Sequence, residues 1–105
     1  YFGEVLIIDE EIKYEWARIP HFYRCFYVYK YSTGITSAIV IANKILSGEP
    51  EYVEKYIKML SMGGSKDSLS LLKSVDVDLE KEETYEEAFK YFENKLEELK
   101  HLIED

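Results

Sequence analysis

From Tyr85 to Ile103 the apolar side chains Tyr85, Ala88, Phe89, Phe92, Leu96, Leu99 and Ile103 recur at helical spacings. That period puts them on one side of a long α-helix, with the intervening Glu and Lys residues on the solvated side. Thr84 followed by Glu87 has the form of a capping box at the start of this helix. The stripe is therefore expected to be core. A chain carrying it needs other helices to cover it, and the preceding sequence supplies candidates.

Phe22 to Leu46 is apolar with few breaks, through Ile35, Ala38, Ile39, Val40, Ile41, Ala42, Ile45 and Leu46. A helix apolar on several sides is a buried central helix, while Lys30, Asn43 and Lys44 argue against a membrane span. Gly34 falls inside it at a cost of about 1 kcal/mol against alanine, which suits close packing or a bend. Ser47 and Gly48 end this helix, and Pro50 opens the next at its first helical position. Val53, Tyr56, Ile57 and Leu60 form the apolar side of that second helix, which Gly63 and Gly64 end. A short helix through Leu69, Leu71, Leu72 and Val75 follows, then an acidic connection, Asp76 to Glu83, expected to be solvent-exposed.

At the start of the chain, Tyr1 to Ile8 reads as an extended lead-in whose Val5-Leu6-Ile7-Ile8 run packs on helices, because a lone strand has nothing to pair with. Asp9 stands as an N-cap, with Glu10 and Glu11 in the first turn where the helix dipole favours acids. This helix runs to Arg18, with Ile12, Trp16 and Ile19 on its apolar side, and Pro20 stops it. Trp16 is expected in the core. Together these segments predict an all-α fold of about five helices in one domain, with no internal repeat.

Composition bounds the function. A net charge of −8 and a pI near 4.8 disfavour phosphate backbones and anionic bilayers, so neither nucleic acid nor membrane is an expected partner. One cysteine, Cys25, forms no internal disulfide, and there is no signal peptide or uninterrupted apolar run of about 18 residues. A cytoplasmic location is expected. The chain starts at a tyrosine and not a methionine, which suggests a fragment. There is no H-E-x-x-H, no C-x-x-C, no glycine-rich phosphate loop and no serine nucleophile elbow. His101, in the last turn of the final helix, suits the free carbonyls there. Cys25 reads as a small buried hydrophobe.

One stretch stands apart. Ile19 to Gly34 reads I-P-H-F-Y-R-C-F-Y-V-Y-K-Y-S-T-G and holds His21, Phe22 and Phe26, with four of the chain's ten tyrosines, Tyr23, Tyr27, Tyr29 and Tyr31. Phenols beside an imidazole can donate hydrogen bonds to a ligand. The longer run D-E-E-I-K-Y-E-W-A-R-I-P-H-F-Y-R-C-F-Y-V-Y-K-Y-S-T-G resembles the C-terminal part of the oligoendopeptidase F group within the M3 zinc peptidases. The resemblance continues through I-L-S-G-E-P, M-L-S-M-G-G-S and S-L-S-L-L-K, and so covers nearly the whole chain. Asp76 departs from it where the family pattern has glycine before V-D, and aspartate tolerates the left-handed conformation such a turn requires.

The resemblance implies a mostly helical metallopeptidase that cleaves short peptides. Its zinc is held by the two histidines of an H-E-x-x-H motif and a downstream glutamate. None of these ligands can be placed on this sequence. Residues 1–105 are then a C-terminal piece of the catalytic domain lying downstream of the metal ligands, with the remainder of that domain as its partner. Alone it is expected to bind no catalytic zinc and cleave nothing. The resemblance assigns its contribution to neutral donors that stabilise negative charge growing on the attacked peptide carbonyl. These are His21, Tyr29 and Tyr27 in catalysis and Tyr23 in substrate binding. A phenol, with an ordinary pKa of about 10, keeps its proton at neutral pH and can fill that role.

A regular helix from Pro20 puts His21, Cys25 and Tyr29 on one side and Tyr23, Tyr27 and Tyr31 on another, with Tyr27 and Tyr29 roughly 160° apart. Both can line one site only if the backbone is irregular between Phe22 and Tyr27. Tyr31 and the two phenylalanines are expected to pack the core. The rival reading is a non-catalytic helical interaction domain whose aromatic cluster binds protein. Stacking on single-stranded nucleic acid fails on charge, because it also needs a positive groove.

Overall fold

Helix is the only regular structure among residues 5–104, the residues described by the structure, a computed structural model, and this bears out the all-α class. Two 3₁₀ helices, Glu10–Arg18 and Pro20–Tyr23, precede four α-helices: α1 (Tyr29–Leu46), α2 (Tyr52–Ser61), α3 (Ser68–Lys73) and α4 (Glu82–Glu104). The chain forms two units, Tyr1–Tyr31 and Ser32–Asp105, the division falling within α1.

In the first unit, Asp9 takes the extended N-cap conformation and its carbonyl accepts from the Ile12 amide at 3.1 Å, but its side chain makes no capping bond. The helix it opens is 3₁₀ and not α. In a three-residue turn, side chains three apart eclipse, so Ile12 and Trp16 no longer share a side. Trp16 is 55% exposed and is not core. Val5 to Ile8 are exposed too, which overturns their expected packing, and Tyr1 to Glu4 of that lead-in lie outside the described residues.

Pro20 ends the first helix as expected and immediately opens the second, to which it contributes a fixed φ at a position that needs no amide donor. The expected helix from Phe22 does not form. Phe26 lies in the left-handed region at φ 56°, a conformation no α-helix interior holds, and α1 starts only at Tyr29. Phe22, Phe26, Tyr31 and Cys25 are all exposed, correcting their assignment to a core.

The second unit has its core where α1, α2 and the segment after α3 meet. Val40, Tyr52, Val75 and Val77 are buried together, with Ile41, Ile45, Met59, Leu72 and Leu79 packed against them. The Tyr52 hydroxyl donates to the Val75 carbonyl at 2.7 Å. Neither Tyr52 nor Val77 was foreseen in the core. The acidic connection is not a solvated loop, because Val77 is 0% exposed and its amide bonds back to the Leu72 carbonyl at 3.1 Å. Asp76, beside it, stands at φ 58° in the left-handed turn, where its carboxylate accepts from Lys55 at 3.0 Å.

Glycine ends the helices where expected: Gly48 at φ 74° follows α1 and Gly63 at φ 54° follows α2, conformations that a Cβ penalises. Helix α2 begins at Tyr52 and not at Pro50, and Asp67 caps α3 by accepting from the Ser70 amide at 2.9 Å. The capping box does not form. Helix α4 already starts at Glu82, the Thr84 hydroxyl donates to the Asp78 carbonyl at 2.6 Å, and Glu87 accepts from Asn43 at 3.4 Å. Of the α4 stripe only Ala88 is buried and Tyr85 half-buried. Phe89, Phe92, Leu96, Leu99 and Ile103 are exposed, since no other described element covers them.

Candidate functional site

Pro20 and the φ 56° turn at Phe26 decide how the aromatic stretch is arranged. The chain leaves its short 3₁₀ turn at Arg24, whose amide bonds to the His21 carbonyl at 3.3 Å, and reverses through Cys25 and Phe26. It then enters α1 with the Lys30 amide on the Tyr27 carbonyl at 3.2 Å. Residues six and ten positions apart, which a straight helix would spread over several turns, thereby come together.

Three rings meet. His21 stacks on Tyr27 with ring centres 5.5 Å apart and planes inclined 29°, and meets the edge of Tyr31 at 5.9 Å. Tyr27 and Tyr31 contact each other edge to face at 5.8 Å and 80°, the offset geometry that ring quadrupoles favour. Tyr27 is half-buried among them, with the Arg24 guanidinium 5.7 Å and the Lys30 ammonium 5.6 Å from its ring centre. Both cations lie over the electron-rich phenol ring, whose quadrupole attracts them. Hydrogen bonding to Tyr27, followed by local desolvation beside the neighbouring rings, raises the Tyr31 pKa above the usual phenol value. A phenol whose pKa is raised in this way keeps its proton at neutral pH.

The irregular backbone that a shared site for Tyr27 and Tyr29 requires is thus present, but it changes the grouping. The ring stacked on His21 is that of Tyr27, and Tyr31, which had been assigned to packing, completes the cluster. Tyr29 stands exposed at the first position of α1. Tyr23 turns the other way, its hydroxyl donating to the Ala17 carbonyl of the first 3₁₀ helix. That bond ties the two 3₁₀ helices together and engages the Tyr23 donor. The signal that could have found Tyr31 is its spacing of four from Tyr27.

The donor set does not make a metal centre. Among the described residues no group of three or more His, Cys, Asp or Glu side chains is disposed to hold a metal ion. His21 is surrounded by phenols and lacks the carboxylates or second imidazole that zinc takes as ligands. Among the same residues no helix is long and apolar enough to cross a membrane.

The sequence pattern described as peptidase family M3 matches residues 1–91. Oligopeptidase PepF of Bacillus subtilis (strain 168) is 43% identical over 98% of this chain and 15% of its own length. The oligoendopeptidase F homologue of Lactococcus lactis subsp. lactis (strain IL1403) is 45% identical, over 99% of this chain and 17% of its own length. The homologue in Borreliella burgdorferi is also 45% identical, over 99% of this chain and 18% of its own. No solved structure matches. The chain spans roughly a sixth of the length of these relatives, so the match concerns one segment of a longer protein. With the family pattern spanning its aromatic cluster and relatives above 40% identity along nearly all of it, the chain belongs to peptidase family M3.

Proposed function

We propose that this chain is part of a zinc-dependent oligoendopeptidase that hydrolyses short peptides, and that it supplies donor side chains to the site. The observation that carries this reading is the His21, Tyr27 and Tyr31 cluster within a chain of peptidase family M3. Its relatives bear the names oligopeptidase and oligoendopeptidase F. The zinc ligands, which the family resemblance gives as an H-E-x-x-H motif and a downstream glutamate, belong in this proposal to the remaining part of the protein. A cytoplasmic location is part of the same proposal.

The roles follow from what each side chain can donate. As a peptide carbon becomes tetrahedral, charge collects on the former carbonyl oxygen, and neutral donors aimed at it stabilise the transition state more than the ground state. Tyr29, exposed in the first turn of α1, and His21 are the leading donors. Tyr27 holds the His21 ring by stacking and is the next candidate. Tyr23 contacts bound peptide through its exposed ring, since its hydroxyl already serves Ala17.

A cleavage assay with a short quenched peptide tests the division of labour. The whole protein is expected to cleave it and to lose activity to a chelator, and residues 1–105 with added zinc are expected to be inert. Chelator-sensitive cleavage by the isolated 105 residues, or none by the whole protein, contradicts the proposal. A second reading is favoured by the exposure of Phe22, Phe26 and Trp16: a helical interaction domain that uses these aromatics as contact residues. It becomes the better account if the whole protein cleaves nothing.

A further inference from the structure

Charge is distributed unevenly along the chain. Although the net charge is −8, not one of the 21 acids falls between Glu15 and Glu49, a stretch that holds Arg18, Arg24, Lys30 and Lys44. That stretch carries +4 and includes the whole aromatic cluster. Arg18 pairs with Glu15 along its own 3₁₀ helix, and Lys44 lies 5.6 Å from the centre of the Tyr52 ring. Arg24 is exposed and, among the described residues, takes part in no ion pair. Its guanidinium rests instead against Tyr27, 5.7 Å from the ring centre, on the same phenol that stacks on His21. A guanidinium stacked on a ring is steadied there, while the N–H donors along its edge stay available. Its charge also reaches Tyr31: hydrogen bonding to Tyr27 raises that phenol's pKa, and Arg24 pulls against it.

We propose that Arg24 is a specificity-determining residue that takes a carboxylate of the bound peptide, within about three residues of the bond that is cut. The proposal rests on the peptidase reading above. A carboxylate is the anion that a peptide carries, at its C-terminus or on Asp and Glu, and the planar guanidinium fork matches its two oxygens as an ammonium does not. The reach follows from the cluster. Through the Tyr27 ring, the guanidinium carbon lies no more than about 11 Å from the His21 ring centre, a distance that about three residues of extended peptide span. Local positive charge in an otherwise acidic chain also draws an acidic peptide to this segment and repels it from the remainder.

Steady-state cleavage of short quenched peptides by the whole protein tests this with two matched comparisons. One sets a free C-terminal carboxylate against the amide, and the other sets Glu against Gln at each of about three positions on either side of the cut. Wild type is expected to favour the carboxylate member of at least one pair by about tenfold in kcat/KM, mainly through KM. Arg24→Gln should bring that ratio close to unity, and Arg24→Glu should reverse it. The pair that responds distinguishes a terminal carboxylate from a side chain. Because each ratio is taken within one variant, a general loss of activity through a disturbed Tyr27 does not alter it. A wild-type ratio near unity in every pair overturns the proposal, as does a preference that Arg24→Gln leaves intact. If the whole protein cleaves none of the peptides, the peptidase reading fails. Fluorescence anisotropy of the same pairs on wild type and Arg24→Gln then decides the carboxylate site by itself, and equal binding within every pair overturns it.

Discussion

Tyr52 joins burial to a single polar partner, 1% exposed with its hydroxyl on the Val75 carbonyl at 2.7 Å. Burial, followed by the nearby charges of Asp76, Glu49 and Glu87, pushes its pKa up to about 12. A pKa raised in the folded state means that the neutral phenol is favoured there. The stabilisation it brings is therefore complete below the unfolded value of about 10 and is lost as pH rises from there to about 12. Alkaline denaturation followed by circular dichroism should accordingly fall off across that window. Tyr52→Phe should remove this dependence and lower stability at neutral pH by about 1 kcal/mol, the net value of one hydrogen bond. A variant as stable as the parent at neutral pH, with the same alkaline profile, would count against this account of the core.

Among the elements, α3 has only six residues and relies on its cap. The Asp67 carboxylate is held below its ordinary pKa by hydrogen bonding to Ser70, through the side chain and the backbone. A lowered pKa contributes stability above the unfolded value that disappears as pH falls through the folded one. Asp67→Ala should lower the melting temperature at pH 7, while Asp67→Asn should keep the cap and lose the acid dependence. Thermal melts across the acid range check both. The Asp67 cap was not read from the sequence, whereas the helix ends at Gly48, Gly63 and Pro20 were, because these residues act through their own backbone preferences. The start of α1 was not, since the turn at Phe26 places a bulky residue at positive φ, which local propensity argues against. Val77 was hidden by its acidic neighbours, although one apolar residue among carboxylates can point inward while they point out. The α4 stripe was read correctly as an apolar side but wrongly as core, because periodicity reports which side needs a cover and not whether these residues supply it.

For the molecule as a whole, the family and the all-α class were legible from an unusual run of residues, and the candidate site only in part. His21, Tyr29, Tyr27 and Tyr23 were named from the family resemblance, and a regular helix could not bring Tyr27 and Tyr29 together. The fold instead bends that segment and brings His21 onto Tyr27 and Tyr31. Tyr31→Phe in the whole protein, which keeps the ring contact and loses only the hydroxyl, is therefore expected to weaken turnover moderately, by about tenfold, through a looser Tyr27, while Tyr31→Ala loses the ring contact as well and should weaken it further. Steady-state kinetics of the pair separates the two contributions. The central claim is that this chain provides transition-state donors to a peptidase whose metal ligands lie elsewhere. It is tested most directly by single-turnover hydrolysis of a short peptide by the whole protein, wild type against Tyr29→Phe. The account expects a rate about 100-fold lower with unchanged peptide binding. An unchanged rate, or a loss confined to binding, contradicts it.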